Sequence, residues 1–218
     1  MRILSFDIED WFHILDLGQT NSRSKWKNFE SRIECGLNRV IQDLKDRDCR
    51  ATFFVLGWVA KKYPHLVRLI SDEGFHIGSH SYSHELVYEH PREAFRDDLA
   101  RSVATIESIT GVKVDCYRAP GFSVTERTTW YLEELVNQGI ELDSSIFPAA
   151  RGHGGFPSFG AATPRIIERN GVSLKEFPIN CASFLGYNYI FSGGGYFRLF
   201  PEWVLNYHFS ESDYIMSY

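Results

Sequence analysis

The chain has 218 residues, 44% of them hydrophobic and 15% aromatic, with a net charge of −5, enough apolar mass for one domain with a single α/β core. The charge is spread without a basic run, which excludes a nucleic-acid partner, and no stretch of about 18 apolar residues occurs, which excludes a transmembrane segment. Cys35, Cys49, Cys116 and Cys181 stand far apart with no CxxC pair, against both a cysteine zinc site and a secreted disulfide framework.

The opening run reaches Asp7 before any stretch long enough for a signal sequence, so a cytoplasmic protein is expected. Ile3, Leu4 and Phe6 make a buried strand that ends in the acids Asp7, Glu9 and Asp10. A polar loop over 18–28 leads to a helix over 31–46, with Ile33, Leu37, Val40, Ile41 and Leu44 on one face. Strand two spans 51–56 and a helix 58–73. A strand over 76–80 and a helix over 91–110 follow, the latter opened by Pro91. Strand four covers 116–119, a helix 125–138, and strand five 140–147. Strands alternating with helices predict a distorted (β/α) barrel of about seven parallel strands with chemistry at the C-terminal strand ends.

The second half is less regular. The Gly- and Pro-rich stretch 149–164 is expected to lie as a surface loop over the barrel mouth. Asn170-Gly171 predicts an added β-hairpin of 165–168 with 172–179. The run 191–198, with Gly193, Gly194 and Gly195 among aromatics, suggests backbone brought close to a ligand. A last helix over 201–209 precedes a strand from Asp213 that still runs at Tyr218, so the natural chain is expected to continue beyond it.

His80 and His84, four residues apart at a strand end, have metal-ligand spacing; two imidazoles and one carboxylate make a catalytic site with an open water position. Alone the pair is a chance pattern. The acid cluster at the end of the first strand makes it a candidate site.

Ser5-Phe6-Asp7 with Glu9-Asp10, His80-Ser-Tyr-Ser-His84, Arg118-Ala-Pro-Gly121 and Asp143, in that order, resemble the successive motifs of the polysaccharide deacetylase family, the nodulation-type carbohydrate esterases. The likeness covers about residues 2–180. The Asp-Ile-Glu-Asp-Trp opening and the 191–198 segment are further similar to a bacterial branch linked to exopolysaccharide and other surface-polysaccharide synthesis, O-antigen included.

The resemblance implies a metal-dependent hydrolase that removes N-acetyl groups from amino sugars, with Asp7 as base, His80, His84 and a second acid on a divalent metal, zinc first, with cobalt, nickel or manganese able to substitute. The third ligand stays open between Glu9, which shares a strand face with Asp7 by period two, and Asp10, which takes its place if the strand ends at Asp7. Arg118 is implied to orient the base and Asp143 to support a catalytic histidine. That histidine is missing from the expected final strand; His153 and His208 lie elsewhere, so the general acid is expected past Tyr218. Trp11, Phe12, Tyr82, Pro120, Gly121, Phe122, Tyr196 and Arg198 are the candidate carbohydrate-binding residues. A zinc peptidase is set aside because Ser81, not Glu, follows the first histidine. A catalytically lapsed carbohydrate-binding relative is the rival.

Overall fold

The computed structural model describes residues 1–15, 23–150, 154–184 and 187–218. Its elements are β1 (Arg2–Ile8), α1 (Ile33–Asp46), β2 (Thr52–Val55), α2 (Gly57–Lys62), α3 (Pro64–Asp72), β3 (His76–Ser79), α4 (Arg92–Thr110), β4 (Cys116–Tyr117), α5 (Tyr131–Asn137), β5 (Leu142–Asp143), β6 (Arg165–Arg169), β7 (Val172–Glu176), β8 (Ala182–Phe184), β9 (Tyr187–Tyr189), α6 (Glu202–Glu211) and β10 (Ile215–Ser217). Eight strands form one sheet in the order β10-β1-β2-β3-β4-β5-β7-β6. The first seven run parallel and β6 pairs antiparallel with β7 around Asn170-Gly171. This is the expected seven-stranded (β/α) barrel with an added hairpin, curled but not closed by a strand ladder. Asn180 spans the gap: its side chain donates to Tyr214 O and accepts from Met216 N.

Side chains alternate between the two faces of the curl. Phe53 and Val55 point outward into the main core with Leu37, Ile41, Val67, Leu99 and Leu135, and the helices cover them. Phe54 points inward and carries the Arg118 guanidinium on its ring at 4.1 Å. Ile8, Val55, Ser79, Tyr117, Asp143 and Glu176 lie in one register row across the sheet. Asp7, Phe54 and Gly78 form the neighbouring inward row.

Several boundaries differ from expectation. The helix expected over 58–73 is two helices, because Pro64 lacks an N–H, and Tyr63 turns out of helical geometry (φ −127°, ψ 59°) to let Pro64 open α3. The helix expected from 125 starts at Tyr131, since Thr125 and Thr128 bond each other's backbone and side chain in a turn first. Strand five pairs only at Leu142 and Asp143. Beyond it Ile146 N donates to a Glu176 carboxylate oxygen instead of a neighbouring strand. The β8–β9 hairpin had no clear signal in the sequence.

Of the loop expected at 18–28, residues 18–22 lie outside the described residues and the rest is the 3-10 turn Arg23–Asn28. Of the loop expected over the mouth, residues 151–153, and so His153, lie outside them too; Gly155 bridges to Thr125 and Ser158 N donates to Glu126. Gly193 packs on the chain itself: a Cβ there would stand 2.6 Å from the Tyr218 ring, and Gly194 N donates to Tyr218 O at 2.7 Å. Among the described residues no helix is long and apolar enough to cross a membrane.

Candidate metal centre and active site

The ends of β1 and β3 bring the candidate residues together. Ligand atoms of Glu9, His80 and His84 all lie within 4.8 Å of one another. The turn that carries the histidines is firmly built. Ser81 and His84 both adopt left-handed backbone (φ 62° and 56°), at a cost of about 1–2 kcal/mol each. Hydrogen bonds from His84 N to Ser81 Oγ, from Ser102 Oγ of α4 to Ser81 O, and from Tyr82 N to Asp98 hold it. Strain that neighbouring structure over-determines is common at functional sites.

His80 is buried and its Nδ1 is 2.8 Å from Arg118 O. A carbonyl only accepts, so Nδ1 carries the proton and Nε2 presents a lone pair to the site, the outer-shell arrangement of a ligand histidine. Burial holds this imidazole below its ordinary pKa and so neutral. His84 Nε2 is 2.6 Å from Glu9 Oε2, yet that oxygen is buried without an aligned hydrogen bond. Burial raises the Glu9 carboxyl, but the neighbouring His84, with His80 and His13 behind it, outweighs burial and holds it at about 2. One carboxylate oxygen without a donor and one imidazole lone pair, converging in a tight cluster, fit a divalent cation with three protein ligands and an open position.

Asp7 stands beside the cluster, its Oδ2 3.9 Å from His80 Nε2. Its other oxygen accepts from Arg118 Nη1 at 2.8 Å. Arg118 is completely buried, and its remaining N–H groups reach Ser5 Oγ, Ser144 O and Ser144 Oγ. An always-charged guanidinium fixed on all sides holds Asp7 in one orientation and leaves Oδ2 facing the site.

Asp10 is used differently. Its carboxylate accepts from Trp11 N at 3.0 Å and from Arg32 N at 3.2 Å, capping the 3-10 turn Trp11–His13. The structure thus brings Glu9, and not Asp10, to the histidines. Strand β1 continues through Ile8, so period two places Glu9 on the face of Asp7.

Asp143 is separated from this group by the sheet itself. It lies in the outward row and accepts from Tyr131 OH of α5 at 2.8 Å and from Ser145 Oγ at 2.5 Å. The Ser144 backbone and Glu176 on the paired strand also hydrogen-bond to it. No donor reaches Glu176 Oε2, so Glu176 carries the shared proton; burial and the adjacent Asp143 raise its pKa well above the ordinary value. Among the described residues no histidine touches Asp143.

The candidate carbohydrate-binding residues divide. A cleft of about 950 Å³ is lined by Asp7, Glu9, Asp10, Trp11 and Arg198, and Trp11 is 44% exposed there. Phe12 is fully buried in the main core. Phe122 is buried against Tyr218, ring centroids 4.8 Å apart, below the mouth. Pro120 is buried, and Gly121 (φ +60°) leaves no room for a Cβ, which would meet Leu15 at 2.6 Å. Tyr82 packs against Gly57 under the Arg101 guanidinium, 3.7 Å from its ring, between α2 and α4. Tyr196 belongs to the turn Tyr196–Arg198, and its side chain lies outside the described ones.

His13 went unnoticed in the sequence. It is buried between Trp26 and Trp58 with its ring centroid 6.1 Å from that of His84. Its Nδ1 accepts from Asp10 N, and its Nε2 has no hydrogen-bond partner. Burial lowers its pKa to about 3, so it stays neutral. Its place three residues after Asp10 on a turn start was the available signal.

A curled parallel sheet with acids and imidazoles gathered at its C-terminal strand ends defines a half-barrel with a candidate metal centre. The chain belongs to the polysaccharide deacetylase family, whose sequence profile matches residues 18–140; the profile of a domain of unknown function matches residues 144–218. The first match includes His80, His84 and Arg118 and begins after the acids of β1. The chain is 29% identical over 97 residues to the peptidoglycan-N-acetylglucosamine deacetylase of Bacillus cereus, covering 44% of this chain and 35% of that protein. It is 31% identical over 105 residues to the peptidoglycan-N-acetylmuramic acid deacetylase PdaA of Bacillus subtilis, 48% of this chain and 40% of that protein. The chain therefore spans less than half the length of these two curated relatives. A crystal structure of a Mycobacterium smegmatis protein assigned to the polysaccharide deacetylases superposes with a TM-score of 0.65 at 22% identity, covering 82% of this chain and 58% of that one. A CE4 family pseudoenzyme from Bacillus anthracis gives 0.51 at 22%, covering 66% and 42%. At that identity the likeness is one of fold alone, and it extends to a protein named as a pseudoenzyme.

Proposed function

We propose that the protein is a metal-dependent deacetylase that hydrolyses the N-acetyl amide of an amino sugar in a bacterial surface polysaccharide or its precursor. The observation that carries this is the junction of two arrangements at the ends of β1 and β3: the Glu9–His80–His84 cluster, and Asp7 held by Arg118 with its other oxygen toward His80. The family membership and the deacetylases among its relatives support the reaction type.

Amide hydrolysis needs an activated water, stabilisation of the charge that grows on the carbonyl oxygen, a base, and a proton for the leaving amine. A divalent ion held by Glu9, His80 and His84 supplies Lewis acidity and a more acidic water at neutral pH. Asp7 Oδ2 is the base that takes the water's proton, and Arg118 holds its carboxylate oriented. Trp11, in the cleft that Asp7 and Glu9 also line, offers an exposed indole face for a sugar ring, and Arg198 a cation for polar groups of the saccharide.

The donor for the leaving amine is not among the described residues at the mouth. His208 bonds Tyr189 OH at 2.7 Å. The next residue, Phe209, is tied through its carbonyl to Arg2, at the opposite end of β1 from Asp7, about 16 Å away at the rise of a strand.

The test is mass spectrometry of surface polysaccharide and its lipid- and nucleotide-linked precursors from a strain lacking the gene. The expected result is the gain of one acetyl group per affected amino sugar, reversed by the natural gene but not by its Asp7→Asn form. Unchanged acetylation, or full rescue by Asp7→Asn, would overturn the proposal. Which pool carries the extra acetyl also tells whether the enzyme works in the cytoplasm on a precursor or on finished polymer.

A further inference from the structure

At the other end of the sheet, where β3 and β4 begin, lies a second group of ligand atoms that the reaction does not use. His76 Nε2 is 2.7 Å from Asp115 Oδ1, and Cys116 Sγ is 3.8 Å from the same nitrogen. The three side chains present one nitrogen, one oxygen and one sulfur within 4.8 Å of one another. We propose that His76, Asp115 and Cys116 form a second metal site, for an exchangeable borderline-soft divalent ion of the zinc class, independent of the centre at the barrel mouth.

Three observations carry this beyond mere proximity. The first is spacing. Tetrahedral zinc with bonds of about 2.0 Å to nitrogen and oxygen and 2.3 Å to sulfur sets its ligands roughly 3.3 Å (N to O) and 3.5 Å (N to S) apart. The observed 2.7 and 3.8 Å lie on either side of these values, within reach of small side-chain rotations. The second is orientation. His76 Nδ1 is 3.2 Å from Thr52 Oγ1, a contact that fixes the ring with Nε2 turned toward both Asp115 and Cys116. The third is room. Thr52, His76 and Cys116 line a recess of about 110 Å³, space for the water that completes the coordination.

The position is built into the sheet register. Gly78 stands where any Cβ would come within 2.5 Å of Cys116 Sγ, so the glycine gives the sulfur its place. The His76 and Asp115 side chains are 42% and 35% exposed, which provides an entry path. Three protein ligands and one water suit an exchangeable ion rather than a permanent one.

Cobalt(II) titration of the full chain tests the proposal, followed by the near-ultraviolet thiolate-to-cobalt charge-transfer band, with bound metal counted after equilibrium dialysis. The wild type should show the band. The His80→Ala, His84→Ala double variant should keep it, because the site does not depend on the mouth. Cys116→Ser should abolish it, and His76→Gln, at an exposed position that should not disturb folding, should weaken cobalt binding by about tenfold or more, as loss of a ligand costs at least what loss of its outer-shell partner does. A wild type without the band, or a band that survives unchanged in both Cys116→Ser and His76→Gln, would show that these side chains hold no metal.

Discussion

Two clusters of acids sit on the same sheet and have opposite characters. At the mouth Asp7 Oδ2, partly exposed, faces His80, and among the described residues Glu9 Oε2 is buried with no aligned donor. Under α5, Asp143 and Glu176 also stand side by side but share a proton: Tyr131 and Ser145 donate to Asp143 and Ile146 N to Glu176, and Glu176 Oε2 has no other partner among the described residues. Buried polar groups left unmet cost roughly 1–3 kcal/mol each. At the second cluster a proton between the two carboxyls offsets that cost; at the mouth the unmet oxygen lies beside two imidazoles, which marks it as the place where a ligand completes the structure.

The most severe way to break this contrast is to remove Arg118, which belongs to the mouth yet is wholly buried. Arg118→Met should destabilise the fold by about 3–5 kcal/mol, the range for breaking a buried pair, as measured by denaturant unfolding, because Ser5, Ser144 and Asp7 lose their common donor. A loss under 1 kcal/mol would mean that the guanidinium is not the post on which the site is built. Asp7→Asn is the finer cut. Turnover should fall by about 10² or more, while metal affinity stays within about tenfold, and a parallel loss of metal would make Asp7 a ligand instead of the base.

The second cluster makes its own prediction. Glu176 has its folded-state pKa raised above 4.5. Stability from it is therefore full below the unfolded value and is lost as pH rises through the raised one, because the unfolded chain releases a proton that the native pair retains. Thermal unfolding of Glu176→Gln, which keeps a donor toward Asp143, should depend less on pH above 4.5 than that of the wild type. Identical slopes would show that no proton is shared there.

Much of this arrangement was legible in the sequence. The strand and helix alternation, the hairpin at Asn170-Gly171 and the pairing of His80 with His84 follow from local patterns, and period two was enough to carry Glu9 to the face of Asp7. Asp143 shows where such reading ends. Resemblance placed it with the catalytic group, yet odd and even positions of a strand face opposite sides, and only the pairing of Cys116 with Leu142 and Tyr117 with Asp143 reveals that Asp143 is outward. Tyr82 fails to reach the cleft for a similar reason: the left-handed turn at Ser81 redirects it between helices. The partial strand after Asp143 depends on the carboxylate of Glu176, thirty residues on, which no local window of sequence contains.

The smallest expected effect belongs to Asp10. Asp10→Ala should cost only about 1 kcal/mol, the usual loss of a cap, in a denaturant melt; several kcal/mol would imply that Asp10 supports more than the turn it caps.

Glu9 and Asp10 together provide the most direct test of the mouth as a metal centre. Bound divalent metal should be counted after dialysis in Glu9→Gln and Asp10→Ala, both in a Cys116→Ser background so that only the mouth is read. The account predicts about one equivalent in the Cys116→Ser parent, retained in the Asp10→Ala variant and lost or weakened at least tenfold in the Glu9→Gln variant. Retention in Glu9→Gln with loss in Asp10→Ala, or no metal in the folded parent, would contradict it.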